Sequence, residues 1–537
     1  MSALIGCGGV QPQRVLSFSP FLCTHESIFL TSKQTVYGPE RPQNQGRIDR
    51  SPPCSELCVV CRGRPPTQSF PSTAPYANMR NVIILGGSYS GARAAELFSQ
   101  TLPITHRVIL IDRQSHFNHL YLFPRFGVVP NHANKVFIPY TGVMASPGRS
   151  SSAPSSKSSS STTEETESSR SGDSSDEGGP TRAQCVFISA SVTEVGPGFV
   201  EIDRDLDEET LGASVSDDDD IISSGREKWR RRRLNWDYLI YALGSTLPAP
   251  LLSPARTKVE GVRFLQAQQE RIALSKSVLI VGGGALGIQY ATDIADLYNN
   301  PANAALRPEN SVEGKKKITL VHSRSRFLPL YKQEVHDEVT RRLDELGVDV
   351  IMGARLALPE LEDDVSKQPL TSRRVESKTG VLEYDLLLRC TGQKPNSQLL
   401  KKSFPDAINS QGYVEVRPTL QLDSCNTKYA DRMYVIGDVA NTHAIRAGHI
   451  GWNQAGIVVQ NIMSAVLCGH REPSLITYEP SPPQIKVTLG LRNSVSELLP
   501  SMGASETQVK MHSDGAVDAG WIHTWTRMGV DAQDPTI

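Results

Sequence analysis

Short apolar runs separated by glycine turns organise this chain. Asn81–Leu85 is a β-branched run of the kind that forms a buried parallel strand. Gly86-Gly87-Ser88-Tyr89-Ser90-Gly91 follows as a tight turn, and Ala92–Leu97 opens a helix. Strand, turn and helix together aim free helix N–H groups at one point, which favours a pyrophosphate. The turn departs from G-x-G-x-x-G at its second glycine, which is Ser88. A small Cβ there crowds a phosphate without excluding it, and the hydroxyl can donate to it. Val108–Asp112 is a second apolar strand, ending in a carboxylate 112 − 91 = 21 residues past Gly91 and followed by Arg113. That is where an acid that grips a ribose hydroxyl belongs.

The pattern recurs 282 − 86 = 196 residues later. The apolar run Lys276–Val281 leads into Gly282-Gly283-Gly284-Ala285-Leu286-Gly287, a full G-x-G-x-x-G, and a helix through Ala295. Its partner strand, Lys317–Val321, ends in His322-Ser323-Arg324-Ser325-Arg326 and not in an acid. A carboxylate there would accept from the free 2′-hydroxyl of NADH, whereas Arg324 and Arg326 would accommodate the 2′-phosphate of NADPH. The competing reading has both arginines facing solvent.

Between the turns, Val186–Val195 and Phe199–Ile202 read as a hairpin, and Trp236–Gly244 as a third strand. Asp385–Cys390, then Gly392 and Pro395, returns the chain from the second unit. Arg432–Ile436 leads to Gly437 and Asp438, an acid at a strand's end placed to bond a sugar-like hydroxyl. A helix containing Gln454 follows. An aromatic loop, His116–Tyr140 with Pro124 in its middle, can lie against a flat conjugated cofactor. His116 and His119 lack Cys or Asp partners, so no metal is expected.

The chain, at 537 residues, is too long for one core. The patterns predict an α/β protein with two Rossmann-like dinucleotide-binding domains, a β-meander and a small C-terminal α+β domain. Residues 1–78 are read as a disordered extension. Residues 79–262 form the first part of one domain, with disordered insertions at 147–182 and 206–233. Residues 263–390 form the second domain, 391–470 the rest of the first, and 471–537 a C-terminal interface domain that would suit a homodimer. A shorter product starting at Met79 is a further expectation. Net charge is −1, which gives no ground for a nucleic-acid partner.

Nine scattered cysteines fit a reducing compartment, and the protein is expected to be cytoplasmic. Cys54, Cys58 and Cys61 have no fourth ligand at finger spacing. The first 25 residues lack acids, which leaves a mitochondrial presequence as an alternative, although only Arg14 is basic there. Peripheral membrane contact would come from Trp521 and Trp525 or from Arg230–Arg233, which otherwise read as a solvated hairpin tip. No cysteine lies between Cys61 and Cys185, so a thiol-disulfide reductase is not expected.

GGSYSGARAA, HFNHLYLFPR, KVFIPY, VGGGALGIQYATDIA and YVIGDVA resemble the two-dinucleotide-binding-domain flavoproteins of the pyridine nucleotide–disulfide oxidoreductase superfamily, glutathione reductase-like in fold. They are most similar to fungal members of the apoptosis-inducing factor 2 group, related to ferroptosis suppressor proteins and more distantly to type II NADH dehydrogenases. The resemblance covers 79–146, 184–205, 234–470 and, less closely, 471–537. It implies FAD and an NADPH or NADH donor, with hydride passing to the flavin and electrons onward to a quinone-like acceptor. A slowly turning over flavoprotein in redox or cell-death signalling is the alternative. Gly86, Gly87, Ser88, Gly91, Asp112 and Arg113 would hold the ADP half of FAD, with Pro124, Gly244 and Gly392 lining the cofactor sites. Gly437 and Asp438 would meet the ribityl chain, and the helix holding Gln454 would point at the flavin's pyrimidine edge. Gly282, Gly284 and Gly287, with Arg324 and Arg326, would hold the nicotinamide nucleotide. Gln289 stands where many relatives carry a glutamate. Lys135 is then a flavin-proximal cation without that partner, or a surface lysine before a strand; these two are the catalytic candidates.

Overall fold

The computed structural model describes residues 79–144, 184–206, 232–358, 370–469, 471–501 and 503–537. The extension with its three cysteines, the presequence and Met79-start readings, the serine-rich tract at 147–182 and most of the charged insertion lie outside the described residues.

Two parallel sheets form the frame. The first has the spatial order Met433–Val435, Tyr238–Tyr241, Arg80–Leu85 (β1), His106–Asp112 (β2), Gln184–Ser189. The β1 residues Val82 to Leu85 are fully buried because both faces of the sheet are covered. Val82 and Ile84 pack with Phe98 of helix α1 (Tyr89–Thr101) and with residues of a later helix, Gly448–Leu467. Ile83 and Leu85 point the other way, into a core with Val195, Val200 and Leu234.

That second layer is an antiparallel meander of Val192–Gly196, Phe199–Ile202 and Arg233–Asn235. The structure corrects two strand readings here. Residues 186–195 are two strands: the Ala190 N–H makes the last bond of the ladder to the Asp112 carbonyl, and the Ser191 N–H then leaves the sheet to donate to Asp203. No glycine or proline marks that turn. The meander's third strand is Arg233–Asn235. The chain breaks at Trp236 and Asp237, whose carboxylate accepts the Asn81 N–H at 2.8 Å, and Tyr238–Tyr241 then joins the sheet beside β1. Arg232 pairs with Asp205 and Arg233 lies over the Phe199 ring.

The second sheet runs Asp349–Ile351, Lys317–Val321, Ser277–Val281, Leu386–Arg389, again all parallel. A capping box of Thr257 and Glu260 starts the helix before it, Lys258–Leu274. The boundary read at 262–263 lies inside this helix, which buries Phe264 and Leu265 in one cluster and Ile272 in another. Val278 and Ile280 face the helix Ala285–Asn299, while Leu279 and Val281 face the hairpin built on Arg373–Ser377 and Gly380–Tyr384.

Residues after 484 form a three-stranded antiparallel sheet, Ile485–Thr488, Ser494–Leu498 and Gln508–His512, and a short helix, Ile522–Arg527. Val487, Leu489, Leu491 and Val495 belong to the core of the second unit, and Trp525, Met528 and Val530 to that of the first. This segment therefore straps the two units together. Among the described residues no helix is long and apolar enough to cross a membrane.

Candidate functional site

The first turn is held so tightly that its glycines are obligatory. Gly86 has φ +94°, and a Cβ on it would lie 2.5 Å from the Ala242 carbonyl oxygen. A Cβ on Gly91 would lie 1.7 Å from the Gly86 carbonyl oxygen. A side chain on Gly87 would strike the Tyr140 hydroxyl. Ser88 takes the N-cap position of α1 without capping it, which leaves the helix's first N–H groups for a ligand. Asp112 accepts the Gly87 N–H at 2.5 Å and the Gln114 N–H at 2.7 Å. Burial raises its pKa and these two donors oppose the rise. Arg113 is exposed.

The second turn repeats this construction bond for bond. Gly86 N–H donates to the Ile111 carbonyl, and Gly282 N–H to the Val321 carbonyl, each at 2.8 Å. Ala242 and Cys390 stand in matching places against Gly86 and Gly282. A Cβ on Gly287 would lie 1.9 Å from the Gly282 carbonyl oxygen. Gly284 is exposed with open space around it, so a group can approach its backbone closely. Gly244 and Gly392 share a φ of +59° in the matching crossings. Where Asp112 accepts from Gly87, His322 Nδ1 accepts from Gly283 at 3.1 Å.

The Gly437 turn closes the first unit. Gly437 has φ +76° and packs on Ser90, as does Gly451 of the helix Gly448–Leu467. Gln454 is buried and spends both ends of its amide: Oε1 accepts from Gly437 N–H at 2.8 Å and Nε2 donates to Thr442 Oγ1 at 3.2 Å. It positions the turn, and its side chain does not face an open site. Asp438 beside it is half-buried, with no hydrogen-bond donor bound to it among the described residues. Burial pushes its pKa up to about 6, against the pull of Arg446. A half-buried carboxylate lacking a donor fits a ligand that brings hydroxyl groups.

The raised value has a consequence. Since the folded pKa exceeds the ordinary one, the group's stabilising contribution is complete below pH 3.8 and is lost as pH rises through about 6. Flavin-free protein should show a thermal midpoint that falls across this window, and Asp438→Asn should flatten the fall. Equal slopes in both proteins would contradict the assignment.

The two catalytic candidates are not brought together. The Lys135 ammonium lies 2.8 Å from His132 Nδ1 and over the Trp521 ring, and burial lowers its pKa against the pull of Asp518. The Gln289 Nε2 donates to Thr488 Oγ1 at 3.1 Å. Both side chains are therefore engaged by the C-terminal segment. Trp525 is fully buried and donates to the Lys135 carbonyl, so it is unavailable to a membrane. Pro124 is buried in the first turn of the helix Phe123–Phe126, which suits a residue without an N–H. Arg326 is turned inward, donating to the Tyr331 carbonyl at 2.5 Å, while Arg324 is exposed. Among the described residues no group of three His, Cys, Asp or Glu side chains could hold a metal.

Sequence reasoning missed Arg125. Its guanidinium grips Asp293 through 2.8 and 3.0 Å bonds and donates to the carbonyls of Gly490, Leu491 and Val517. One buried cation thus joins the aromatic loop, the second unit and the C-terminal strap. The signal was partly there: an arginine within the otherwise apolar Leu122–Val129, although Asp293 lies in a helix that also carries Gln289, Thr292 and Asp296.

Comparison with known proteins agrees with this geometry. The sequence profile of the pyridine nucleotide-disulphide oxidoreductase family matches residues 80–466. Fe-regulated protein 8 of Mycosarcoma maydis is 34% identical over 465 residues, covering 85% of this chain and 96% of that one. Apoptosis-inducing factor homolog B of Dictyostelium discoideum is 24% identical over 80% of this chain and 93% of its own. Ferroptosis suppressor protein 1 of Taeniopygia guttata is 24% identical over 78% and 88%. The structure of NDH2 from Plasmodium falciparum in complex with NADH shares the fold, with a TM-score of 0.54, 12% identity and coverage of 84% and 95%.

Proposed function

The chain belongs to the pyridine nucleotide-disulphide oxidoreductase family, and on that footing we propose that this NAD(P)H-dependent flavoprotein passes electrons to a small quinone-like acceptor. The observation that carries the reading is the pair of glycine turns built alike in one chain, each with open N–H groups at a helix start. When bound, FAD supplies two-electron acceptance from a nicotinamide and delivery of those electrons onward. The chain's own residues bind and orient. Ser88 and the first N–H groups of α1 would meet the FAD pyrophosphate, Asp112 a ribose hydroxyl, and Asp438 the ribityl hydroxyls. Gly284 and the start of Ala285–Asn299 would meet the second pyrophosphate. The relatives named as apoptosis-inducing factor homologs and as a ferroptosis suppressor protein are the ground for keeping the slow-turnover, cell-death signalling alternative beside the quinone reading.

Steady-state oxidation of NADPH with a short-chain ubiquinone separates the two. Turnover that rises well above the oxygen-only rate is expected. Turnover that quinone leaves unchanged would favour the slowly reoxidised signalling flavoprotein.

The donor is proposed to be NADPH, on the strength of exposed Arg324 beside the second turn. A charge-assisted hydrogen bond contributes roughly 1.5–3 kcal/mol, so Arg324→Ala should reduce the NADPH over NADH preference by roughly tenfold to a hundredfold. Arg326→Ala should leave it in place, because that guanidinium is held by Tyr331. An unchanged preference in Arg324→Ala would refute the assignment.

A further inference from the structure

The first sheet sets the direction in which a dinucleotide would lie. The turn suited to the pyrophosphate follows β1, and the acid suited to the ribose ends β2. The next strand outward is Gln184–Ser189, and its Ser189 pairs with Asp112. The base then falls outside the carboxyl ends of these two strands, where parallel sheets bind ligands. One side chain spans both ends, that of Arg256. Its backbone is rooted beyond β2. The Arg256 carbonyl accepts the Ser115 N–H at 2.8 Å, and the Ala255 carbonyl accepts from Gln114 Nε2 at 3.4 Å. The Arg256 N–H donates to Glu260 Oε2 at 3.0 Å, the acid of the capping box that starts Lys258–Leu274. The guanidinium ends beyond the neighbouring strand, donating to Asp203 Oδ2 and to Ser191 Oγ, each at 3.0 Å.

We propose that Arg256 is a latch over the adenosine end of FAD: its bond to Asp203 bars the crevice outside β2 and Gln184–Ser189 and slows release of the cofactor. This rests on reading the first turn as the FAD site. The two ends of the bar are fixed independently of each other. Its root is held by Ser115 and Glu260, and its catch is a reciprocal pair. The Ser191 N–H donates to Asp203 Oδ1 at 2.8 Å, and the Asp203 N–H donates to the Ser191 carbonyl at 2.9 Å. Burial alone would raise the pKa of Asp203. Ser191 and Arg256 outweigh it and hold the carboxyl below its usual range, so the pair is charged at neutral pH. The Arg256 side chain is 58% exposed, so the fastening is open to solvent ions. Screening shortens from about 10 Å at 0.1 M salt to about 3 Å at 1 M. Salt also weakens the hold on a pyrophosphate. The latch is therefore the part of the salt response that disappears when the Arg256 charge is removed.

The test is the rate at which the flavin-loaded full chain releases flavin on dilution, followed by flavin fluorescence at low and at high sodium chloride. At low salt Arg256→Gln should release it about two- to fivefold faster than the parent, the worth of one exposed ion pair. Asp203→Asn should match it, since asparagine keeps an acceptor for the Ser191 N–H and loses only the charge. The double variant should be no faster than either single one, because each breaks the same bond. High salt should close the gap between the parent and Arg256→Gln. A parental rate in Arg256→Gln, effects that add in the double variant, or a gap that high salt leaves open overturns the proposal alone. A lower urea midpoint in Arg256→Gln with unchanged release does so too, and makes Arg256 a structural tie only. A parent protein that carries no flavin overturns the reading beneath it.

Discussion

Arg125→Ala should lower the stability of the protein by about 3–5 kcal/mol, the range for removing one partner of a buried ion pair. Asp293 is completely buried and its partner's side chain is 3% exposed, so the carboxylate cannot recruit water when the guanidinium goes. Three backbone carbonyls lose their donor in the same step. The deficit should depend on pH. Burial raises the pKa of Asp293 even with Arg125 present, and without Arg125 the rise is larger. A raised carboxylate contributes its stability below its ordinary pKa and loses it as pH rises, so the variant should be least impaired in acid. Arg125→Met combined with Asp293→Leu should recover much of the loss, since neither charge then remains buried. Urea midpoints across pH would measure all three. A loss below about 1 kcal/mol, the worth of a surface pair, would mean that Arg125 does not clamp the two units.

The second large effect separates the two nucleotide sites. Gly287→Ala puts a methyl group against a backbone carbonyl oxygen that sits 1.9 Å away, and Cys390 blocks retreat at 3.1 Å. The protein should keep its flavin and lose at least about two orders of magnitude in reduction by NADPH, the scale of a binding loss near 3 kcal/mol. Gly91→Ala makes the equivalent clash at 1.7 Å in the first turn. That variant should lose flavin absorbance. If both variants lost both properties, the turns would not be separate sites; if Gly287→Ala reduced normally, the second turn would not hold the donor.

The reason so much of this fold was legible is its local redundancy. β1 and Ser277–Val281 are apolar runs, each followed directly by a glycine, Gly86 or Gly282, that needs both a positive φ and the missing Cβ. Elements whose boundaries rest on side-chain bonds far apart in sequence were not legible. The break at Ser191 depends on Asp203, and that at Trp236 and Asp237 on Asn81. The candidate site divides the same way. The glycines and Asp438 stand at strand ends where pattern alone places them. Arg125, with five hydrogen bonds to four residues spread from 293 to 517, is a product of tertiary packing. So is the engagement of Lys135 and Gln289 by Trp521 and Thr488, which draws both toward the C-terminal strap.

The central claim is that one chain holds a flavin at the first turn and takes electrons from a nicotinamide nucleotide at the second. Anaerobic rapid mixing of the purified protein with NADPH, and separately with NADH, tests it most directly. The account predicts a yellow protein whose flavin absorbance bleaches on mixing, faster with NADPH. A colourless protein, or a flavin that neither nucleotide bleaches, would contradict it.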